Sequence, residues 1–264
     1  MCARNCLTVI HETAIISSSA RLADDVEVGP YAVIDGDVEI GAGTTIGPHT
    51  VIKGETRIGS NNRIYQFASI GEIPQDKKYG GEATRLEIGD DNTIREFCTI
   101  NRGTAQQQGL TRIGNDNWLM AYVHIAHDCV IGDHTIFANC TTLGGHVMVG
   151  DHAIFGGFSG VHQFCHIGEH SFMAMYSVVA RDIPAYLIVS GNPVQPRGIN
   201  KEGLKRRGFD RDQLRQLHAA YRLIYREGLK LADAIAELEQ RLEVQPVLLP
   251  LVEALKSSTR GIAR

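Results

Sequence analysis

The sequence predicts a mainly β protein, in which a parallel β-helix is followed by a C-terminal α-helical domain. The first observation is that an apolar residue recurs at every sixth position through most of the segment from Ile10 to Val179. The second is that glycine follows many of these residues, and the third is that glycines become rare and charges frequent after Lys201. A six-residue period does not fit an α-helix, because 3.6 residues per turn would carry the apolar positions around the cylinder. It is the period of a β-helix built from hexapeptides.

The apolar series has three segments, each with a strict six-residue spacing. Its members are Ile10, Ile16, Leu22, Val28, Ile34, Ile40, Ile46, Ile52, Ile58, Ile64 and Ile70, then Ile88, Ile94 and Ile100, then Ile113, Leu119, Ile125, Ile131, Phe137, Leu143, Val149, Phe155, Val161, Ile167, Met173 and Val179. Each hexapeptide is expected to form a strand of about four residues with its apolar side chain inward, followed by a corner. Three such sides close a triangular prism, so a coil of eighteen residues stacks on the next at about 4.8 Å.

Glycine marks the predicted corners. It follows the apolar residue at many positions, nine of which are Gly29, Gly41, Gly47, Gly59, Gly89, Gly114, Gly132, Gly150 and Gly168. Glycine tolerates tight or left-handed backbone, in which other residues are strained. Asp or Asn often comes next, as at Asp90 and Asn115, and suits a turn through side-chain to backbone hydrogen bonds.

Two segments interrupt the series and are predicted to be loops on the solenoid. Residues 71–87 separate apolar positions that lie eighteen residues apart, so about one coil's length of chain is expected to leave the solenoid. Residues 101–112 separate positions thirteen apart, which predicts one inserted residue and a bulge or loop that restores the phase. Loops on rigid scaffolds often carry function. The first holds polar side chains that suit a sugar or phosphate, whereas the glutamines of the second suggest no chemistry.

The β-helix is predicted over residues 1–190 and the helical domain over residues 191–264. Three prolines between residues 184 and 196 are expected to end the solenoid. Beyond them, apolar residues at helical spacing predict about three helices, with Asp210 as an N-cap and the last helix near Leu248 to Ser257.

Composition argues against several other classes of protein. The chain of 264 residues is 43% hydrophobic but only 6% aromatic, which agrees with a narrow aliphatic interior. A formal net charge of −4 gives no general case for binding nucleic acid or membranes. No apolar run has the length of a membrane span, and the start MCARNCLTVI lacks the apolar region of a signal peptide, so a cytoplasmic location is expected. The cysteines form no CxxC pair and are expected to be free thiols: Cys2, Cys6, Cys98, Cys129, Cys140 and Cys165.

Eighteen-residue stacking is expected to bring one group of polar residues together on adjacent coils. Gly145 lies eighteen residues after His127, and His146 lies eighteen after Asp128. The residues expected within roughly 5 to 10 Å of one another are His127, Asp128, His146, His162 and Gln163.

This group has the chemistry of an acid–base site. An imidazole such as that of His127 can take a proton from a hydroxyl near neutral pH. Asp128 would fix its tautomer, and the Gly145 N–H would face a developing oxyanion. A second column, formed by His134, His152 and His170, is expected to stack on a solvent-exposed corner without a catalytic role.

Six stretches in a fixed order resemble one family of hexapeptide-repeat acyltransferases. They are IYQFASIGE (64–72), QDKKY (75–79), HIAHD (124–128), VHQF (161–164), EGLKRRGF (202–209) and STRGIAR (258–264). Together they resemble the acyl-carrier-protein-dependent UDP-N-acetylglucosamine O-acyltransferases, which carry out the first step of lipid A synthesis. The resemblance spans nearly the whole chain. It implies that the β-helix is left-handed, whereas the general rule for parallel crossovers favours the right-handed form.

The resemblance also implies an activity. An (R)-3-hydroxyacyl group would pass from acyl carrier protein to the 3-hydroxyl of UDP-N-acetylglucosamine, in a homotrimer with active sites between neighbouring β-helices. The sugar hydroxyl would attack directly, without a metal or a covalent enzyme intermediate. The phosphopantetheine of the carrier would hold the acyl group, and no other cofactor is implied.

Residue roles follow from the matched motifs. His127 would be the general base, Asp128 its orienting partner and the Gly145 N–H the oxyanion donor. The implied contacts are His124, His146, Asp76 and Lys78 for the sugar or acyl group, His162, Gln163 and Gln75 for the nucleotide sugar, and Asn200, Glu202, Arg206 and Arg207 for the uridine diphosphate or the carrier.

Two positions carry further information. Asn101 stands where members of the family commonly have His, so a secondary contact there is expected to differ. Met175 occupies the position that limits acyl length in the family, where Gly admits a long chain. A bulky side chain at this position predicts a 3-hydroxydecanoyl-type donor rather than a tetradecanoyl one.

Three alternatives differ from this interpretation in specific features. The N-acyltransferase of the same pathway normally has a separate N-terminal uridine-binding domain, whereas the repeat here begins near residue 10. A non-catalytic hexapeptide scaffold would not require His127, Asp128 and Gly145 to be aligned. The gamma-class carbonic anhydrase binds zinc through histidines of which two lie five apart. The pair in HIAHD is three apart, so no metal site is predicted.

Overall fold

The chain winds into a triangular β-helix whose three faces are parallel sheets. The computed structural model describes residues 9–264. Its sheets contain 11, 9 and 8 strands, and the strands up to Val178–Val179 fall on successive faces in chain order. The last strand, Val194–Ile199, instead pairs antiparallel with Leu187–Gly191 in the 11-stranded sheet. The predicted fold, a left-handed parallel β-helix followed by C-terminal α-helices, is confirmed.

The strands are shorter than predicted, and most contain two residues, because the remaining residues of each hexapeptide form the corners. In chain order they are β1 (Val9–Ile10), β2 (Ile15–Ile16), β3 (Arg21–Leu22), β4 (Glu27–Val28), β5 (Val33–Asp35), β6 (Val38–Ile40), β7 (Thr45–Ile46), β8 (Val51–Lys53), β9 (Glu55–Ile58), β10 (Arg63–Ile64), β11 (Ser69–Glu72), β12 (Arg85–Ile88), β13 (Thr93–Ile94), β14 (Thr99–Asn101), β15 (Leu110–Ile113), β16 (Trp118–Leu119), β17 (His124–Ile125), β18 (Val130–Ile131), β19 (Ile136–Phe137), β20 (Thr142–Leu143), β21 (Met148–Val149), β22 (Ile154–Phe155), β23 (Gly160–Val161), β24 (His166–Ile167), β25 (Phe172–Met173), β26 (Val178–Val179), β27 (Leu187–Gly191) and β28 (Val194–Ile199).

The apolar series forms the interior of the prism. Its members from Val28 to Val179 are at most 5% exposed. Ile10 is 46% exposed, and its coil has a neighbour on one side only within residues 9–264. The cysteines of the described residues are free, and three of the four are buried. The prediction for Cys2 and Cys6 lies outside the described residues.

The lengths of the two interruptions differ from those predicted. An unbroken coil takes 18 residues, as the hydrogen bond from Thr135 to Asn117 shows. The corresponding partners across the second interruption lie 25 residues apart, and those across the first lie 30 apart. The second interruption therefore inserts seven residues (25 − 18) rather than one. The first inserts twelve residues (30 − 18) rather than the length of one coil. The reason is that the flanking strands lie on consecutive faces, so the ordinary step of six residues is part of each gap.

The corner glycines are required by close approach rather than by left-handed backbone. A Cβ added to Gly41 would lie 2.7 Å from the carbonyl carbon of Gly59 on the next coil. The nine corner glycines, all within the described chain, have no positive φ. The left-handed residues come two positions later, as at Tyr31 with φ 58° and His49 with φ 55°. Of the two reasons expected for glycine at these corners, tight backbone and left-handed backbone, the structure shows the first.

One corner carries a column of exposed rings. The rings of Tyr31, His49, Phe67, Phe97 and Tyr122 stack in this order with centroids 4.8–5.2 Å apart. This aromatic corner continues after an intervening Cys140 as Phe158 and Tyr176, which also stack. The separation between rings matches the spacing of β-strands, so the column follows from coil stacking.

The column of His134, His152 and His170 stacks as predicted, but its solvent exposure was overestimated. The ring centroids are 4.7–4.8 Å apart. His170 is only 9% exposed, because Tyr186 stacks on it and Phe209 packs against its edge. Burial lowers the pKa of His170 to about 4, so this imidazole is neutral at physiological pH.

The C-terminal segment contains one more α-helix than expected. Its elements are α1 (Lys201–Arg206), α2 (Arg211–Tyr225), α3 (Leu231–Arg241), a 3-10 helix (Pro246–Leu248) and α4 (Leu249–Ser257). Helix α1 was missed because it spans six residues, and its only buried one is Leu204. Asp210 is confirmed as the N-cap of α2, where it forms a capping box with Gln213.

The helices cover one end of the solenoid through a second apolar core. Leu204, Leu217, Leu238 and Leu251 belong to it, together with Tyr186 from the end of the β-helix. The predicted boundary at residue 190 falls inside β27 and stays a prediction. No helix of the described residues is long and apolar enough to span a membrane.

We expect Gly41→Ala to lower the free energy of unfolding by about 1–3 kcal/mol, because the added methyl would overlap the backbone of the next coil. Chemical denaturation measures this change. Gly160→Ala is the matched control, since a Cβ there meets no atom within 4 Å. Equal effects of the two substitutions would contradict the close-approach explanation.

Candidate active site

Coil stacking places His127 directly against Gly145. Both residues follow strands of the same face, β17 and β20, whose residues Ile125 and Leu143 pair in register. A Cβ on Gly145 would lie 2.6 Å from Cε1 of His127. Only glycine therefore leaves room for the imidazole in this position. The Gly145 N–H donates no hydrogen bond to any residue that the structure describes.

His127 and Asp128 form a hydrogen-bonded pair. Nδ1 of His127 lies 2.8 Å from Oδ2 of Asp128, and the carboxylate is almost completely buried. The Thr104 N–H and hydroxyl also donate to this carboxylate, at 3.0 and 2.6 Å. Burial by itself raises the pKa of Asp128, but the hydrogen bonds from His127 and Thr104 outweigh it, and the pKa is lowered. The ionised carboxylate thus holds a proton on Nδ1 and leaves Nε2 of His127 with a free lone pair.

Thr104 was missed by sequence reasoning. It belongs to the second interruption, to which no chemistry was assigned. Counting that insertion as seven residues would have placed the loop one coil before Asp128, although spacing alone does not single out the threonine. In the same loop, Arg102 donates to the Tyr79 hydroxyl at 3.1 Å, which ties the two interruptions together.

Two further histidines border the pair. The His146 ring meets His127 edge-on with centroids 5.0 Å apart and stacks on Phe164 at 4.4 Å. Its Nδ1 is buried without a hydrogen-bond partner in the described chain and lies 3.8 Å from Oδ2 of Asp128. His124 shares a 2.7 Å hydrogen bond with Thr99. Burial is the main cause that lowers the pKa of both histidines, so both are neutral at pH 7.

Three side chains of the site have the donor atoms of a metal site. Ligand atoms of His127, Asp128 and His146 lie within 4.8 Å of one another, which would allow an ion to bind. However, the 2.8 Å between His127 and Asp128 is a hydrogen-bond distance. Two ligands of a tetrahedral zinc ion stand roughly 3.3 Å apart, given bonds of about 2.0–2.1 Å. The geometry therefore fits an acid–base pair better than a metal centre.

The next coil brings His162 and Gln163 to the same corner. Both follow β23, and the backbone nitrogen of Gln163 lies 2.8 Å from the position that a Cβ on Gly144 would take. The two side chains are exposed, and Nδ1 of His162 lies 3.1 Å from the Gln163 carbonyl oxygen.

The first interruption reaches this corner through Asp76. The charge of Asp76 is close enough to raise the pKa of His146, against the larger effect of burial. Asp76 also accepts a hydrogen bond from the Lys78 N–H at 3.0 Å, which shapes the loop. Gln75 and the Lys78 side chain are exposed and form no hydrogen bond with His127 within the described chain.

The remaining predicted residues lie elsewhere on this chain. Asn200 caps α1 and donates to the His170 carbonyl, and Arg207 donates to the His152 carbonyl at 3.1 Å. They therefore sit at the corner of the second histidine column. Glu202 pairs with Lys205, and Arg206 is exposed.

Met175 and Asn101, the two further positions noted in the sequence, lie in different surroundings. Met175 is 57% exposed and precedes Tyr176 of the aromatic corner. Asn101 is buried and donates to the Ile73 carbonyl at 3.0 Å, so it anchors the first interruption. A single chain thus presents the predicted residues on separate corners.

Comparisons with known proteins agree with the sequence motifs. The model described as "Udp N-acetylglucosamine O-acyltransferase; Domain 2" matches residues 182–263, and the bacterial transferase hexapeptide model matches residues 19–54 and 110–145. The chain is 57% identical over 258 residues to the acyl-[acyl-carrier-protein]--UDP-N-acetylglucosamine O-acyltransferase of Thiobacillus denitrificans, covering 98% of this chain and all of the relative. The enzyme of the same name from Herminiimonas arsenicoxydans is 52% identical, with the same coverage.

Solved structures are similar over the same length. The structure of LpxA from Acinetobacter baumannii superposes with a TM-score of 0.95 at 50% identity, covering 97% of this chain and 100% of that one. UDP-N-acetylglucosamine O-acyltransferase from Moraxella catarrhalis gives a TM-score of 0.96 at 50% identity, covering 97% and 99%.

The lowered pKa of Asp128 predicts a pH-dependent effect of Thr104→Val, which removes one hydrogen bond to the carboxylate. A carboxyl whose folded-state pKa is depressed stabilises the protein above its unfolded pKa, about 3.9, and this stabilisation is lost as pH falls through the folded value. The variant should therefore lose about 1–3 kcal/mol of unfolding free energy at pH 7, and less in acid.

Denaturant titrations at several pH values measure this difference. Gln106→Ala, an exposed position in the same loop, is the control and should leave stability unchanged. A loss for Thr104→Val that is independent of pH would show that the hydroxyl acts through packing and not through the charge of Asp128.

Proposed function

Because this chain belongs to the family of UDP-N-acetylglucosamine O-acyltransferases, we propose that it transfers an acyl group from acyl carrier protein to UDP-N-acetylglucosamine, the first step of lipid A synthesis. The acyl group is an (R)-3-hydroxyacyl chain, and the acceptor is the 3-hydroxyl of the sugar. The observation that carries the proposal is the alignment of the His127–Asp128 pair with the bare amide of Gly145.

His127 acts as the general base. Nε2 takes the proton of the sugar 3-hydroxyl while the oxygen attacks the carbonyl carbon of the thioester. Asp128 keeps Nδ1 protonated and stabilises the imidazolium that forms, as its ionised and buried carboxylate allows. His124 and His146 stay neutral beside it and add no opposing charge.

The Gly145 N–H stabilises the tetrahedral intermediate. It points its unshared proton at the oxygen that gains negative charge, where a preorganised donor is most effective. Collapse of the intermediate breaks the carbon–sulfur bond, and the leaving thiolate of the phosphopantetheine takes the proton from His127. The ester and the free carrier thiol are the products, and no cofactor besides the carrier's own group takes part.

Substrates are held by residues that come from more than one chain. The sugar or the acyl group is contacted by Asp76, Lys78, His124 and His146. The nucleotide sugar lies against Gln75, His162 and Gln163. The uridine diphosphate or the carrier is bound by residues of another subunit, which are Asn200, Glu202, Arg206 and Arg207.

A homotrimer supplies this second surface. The exposed rings of the aromatic corner form an apolar strip of the kind that marks protein interfaces, and they support an assembly of parallel β-helices. The enzyme works in the cytoplasm, where acyl carrier protein is its donor.

Replacing the base should abolish transfer without loss of the fold. We expect His127→Ala to reduce kcat by about a hundred- to ten-thousandfold, the usual contribution of a positioned base. Light scattering and thermal unfolding should show the wild-type assembly and stability. His134→Ala, which removes an exposed imidazole from the other column, is the control and should keep wild-type turnover. Transfer that persists in His127→Ala would refute the mechanism.

Met175 sets the length of the acyl chain in this proposal. The wild-type enzyme should turn over a 3-hydroxydecanoyl carrier faster than a 3-hydroxytetradecanoyl carrier, because the side chain shortens the acyl pocket. Met175→Gly should shift the preference toward the longer donor, by about tenfold or more in the ratio of kcat/KM, since burying each CH₂ stabilises by about 0.8 kcal/mol. Faster wild-type turnover with the longer chain would show that Met175 does not limit the pocket.

A further inference from the structure

The last seven residues fold back from α4 onto the solenoid. The Ser258 hydroxyl donates to the buried carboxylate of Asp182 at 2.7 Å. On the other side, the Asp182 N–H donates to the Gly261 carbonyl, and the Ala263 N–H donates to the Asp182 carbonyl. The tail is thus fixed to the β-helix both before and after Arg260.

This anchoring places the Arg260 guanidinium beside His162. Its Nη2 lies 3.4 Å from Nδ1 of His162, although the two residues are 98 apart in the chain. The same Nδ1 lies 3.1 Å from the Gln163 carbonyl oxygen. The two contacts exclude each other in a neutral imidazole, because Nδ1 carries either a proton or a lone pair.

Arg260 is exposed, and its guanidinium interacts with His162 and with the buried Cys165 thiol. No carboxylate pairs with it among the residues that the structure describes, in contrast to Arg57 or Arg112. A guanidinium presents a planar set of N–H donors that matches the oxygens of a phosphate. The unshared donors of Arg260 suit such an anion.

The position relative to His127 agrees with a phosphate ligand. His162 and Gln163 stand one coil beyond Gly144 and Gly145, a rise of about 4.8 Å. In a sugar nucleotide the diphosphate is attached at C1, and only C2 separates C1 from C3, the carbon that carries the 3-hydroxyl. A sugar whose 3-hydroxyl meets His127 thus has its diphosphate within reach of the neighbouring coil.

We propose that Arg260 binds the diphosphate of the nucleotide sugar, so that the C-terminal tail completes the substrate site. This inference rests on the proposed function. Arg260 is better placed for this role than Arg207 of the same chain. Arg207 donates to the backbone carbonyl of His152 at another corner, whereas Arg260 lies at the corner of the base.

Steady-state kinetics of Arg260→Ala test the proposal. We expect KM for UDP-N-acetylglucosamine to rise by about ten- to a hundredfold, the value of a hydrogen bond between charged groups, with kcat changed much less. Inhibition by UDP should weaken by the same factor, whereas inhibition by uridine, which has no phosphate, should not change. Arg260→Lys keeps the charge but loses the planar donor set, so its KM for UDP-N-acetylglucosamine should lie between those of the wild type and of Arg260→Ala.

Arg181→Ala is the matched control. This exposed arginine lies next to the tail, with Nη1 3.4 Å from the position of a Cβ on Gly261, and its removal changes the charge equally. It should leave KM and UDP inhibition unchanged. Equal effects of both substitutions would indicate a general field and overturn the proposal.

Other outcomes are also decisive. Unchanged KM and UDP inhibition in Arg260→Ala would refute the role of Arg260, and so would an effect confined to the KM for acyl carrier protein. Wild-type protein that neither turns over UDP-N-acetylglucosamine nor is inhibited by UDP would instead refute the proposed function. Thermal unfolding should match the wild type, because the side chain is exposed and Asp182 holds the tail. If Arg260→Ala unfolds, Arg260→Gln provides the same comparison.

Discussion

Register between coils is the constraint on which the rest of this structure depends. Each coil lies one β-strand spacing from the next, so every side chain stands above the residue one coil earlier. The corners are close enough that a Cβ on Gly41 would meet the backbone of Gly59. Repeated glycines permit this approach, and the same register produces the columns of rings at the corners. A change in coil length must therefore be placed outside the prism, as the two interruptions are.

The same register builds the candidate active site. His127 and Gly145 meet because they occupy equivalent positions on adjacent coils, and His146 follows in the column of Asp128. The site lies at a corner that directly follows strands β17 and β20, and Thr104 reaches it from a loop that the solenoid displaces outward. Burial and hydrogen bonding then assign the charges, since Asp128 stays ionised while His124 and His146 stay neutral. A base with a fixed tautomer beside a free amide is the result.

The C-terminal helices and tail add contacts that the β-helix repeat does not provide. The helices cover the last coils and bury His170, and the final residues return to the solenoid through Asp182. This return places Arg260 beside His162, close to the corner of the base. Asn200 and Arg207 instead lie at another corner, which is why the proposed site combines surfaces of neighbouring subunits.

The sequence by itself determined the coil, the aliphatic interior and the meeting of His127 with Gly145, because in a repeat of constant period spatial neighbours follow from simple counting. It also identified the Asp210 cap, whose hydrogen bonds are local. Where counting stopped, prediction failed: the lengths of both insertions and the exposure of His170 were wrong, and helix α1 was missed. Thr104 and Arg260 were assigned no role. Their contacts, with Asp128 24 residues away and with His162 98 residues away, depend on how a loop and a tail pack against the solenoid. Only the tertiary structure decides such contacts, because no periodic pattern relates the residues that make them.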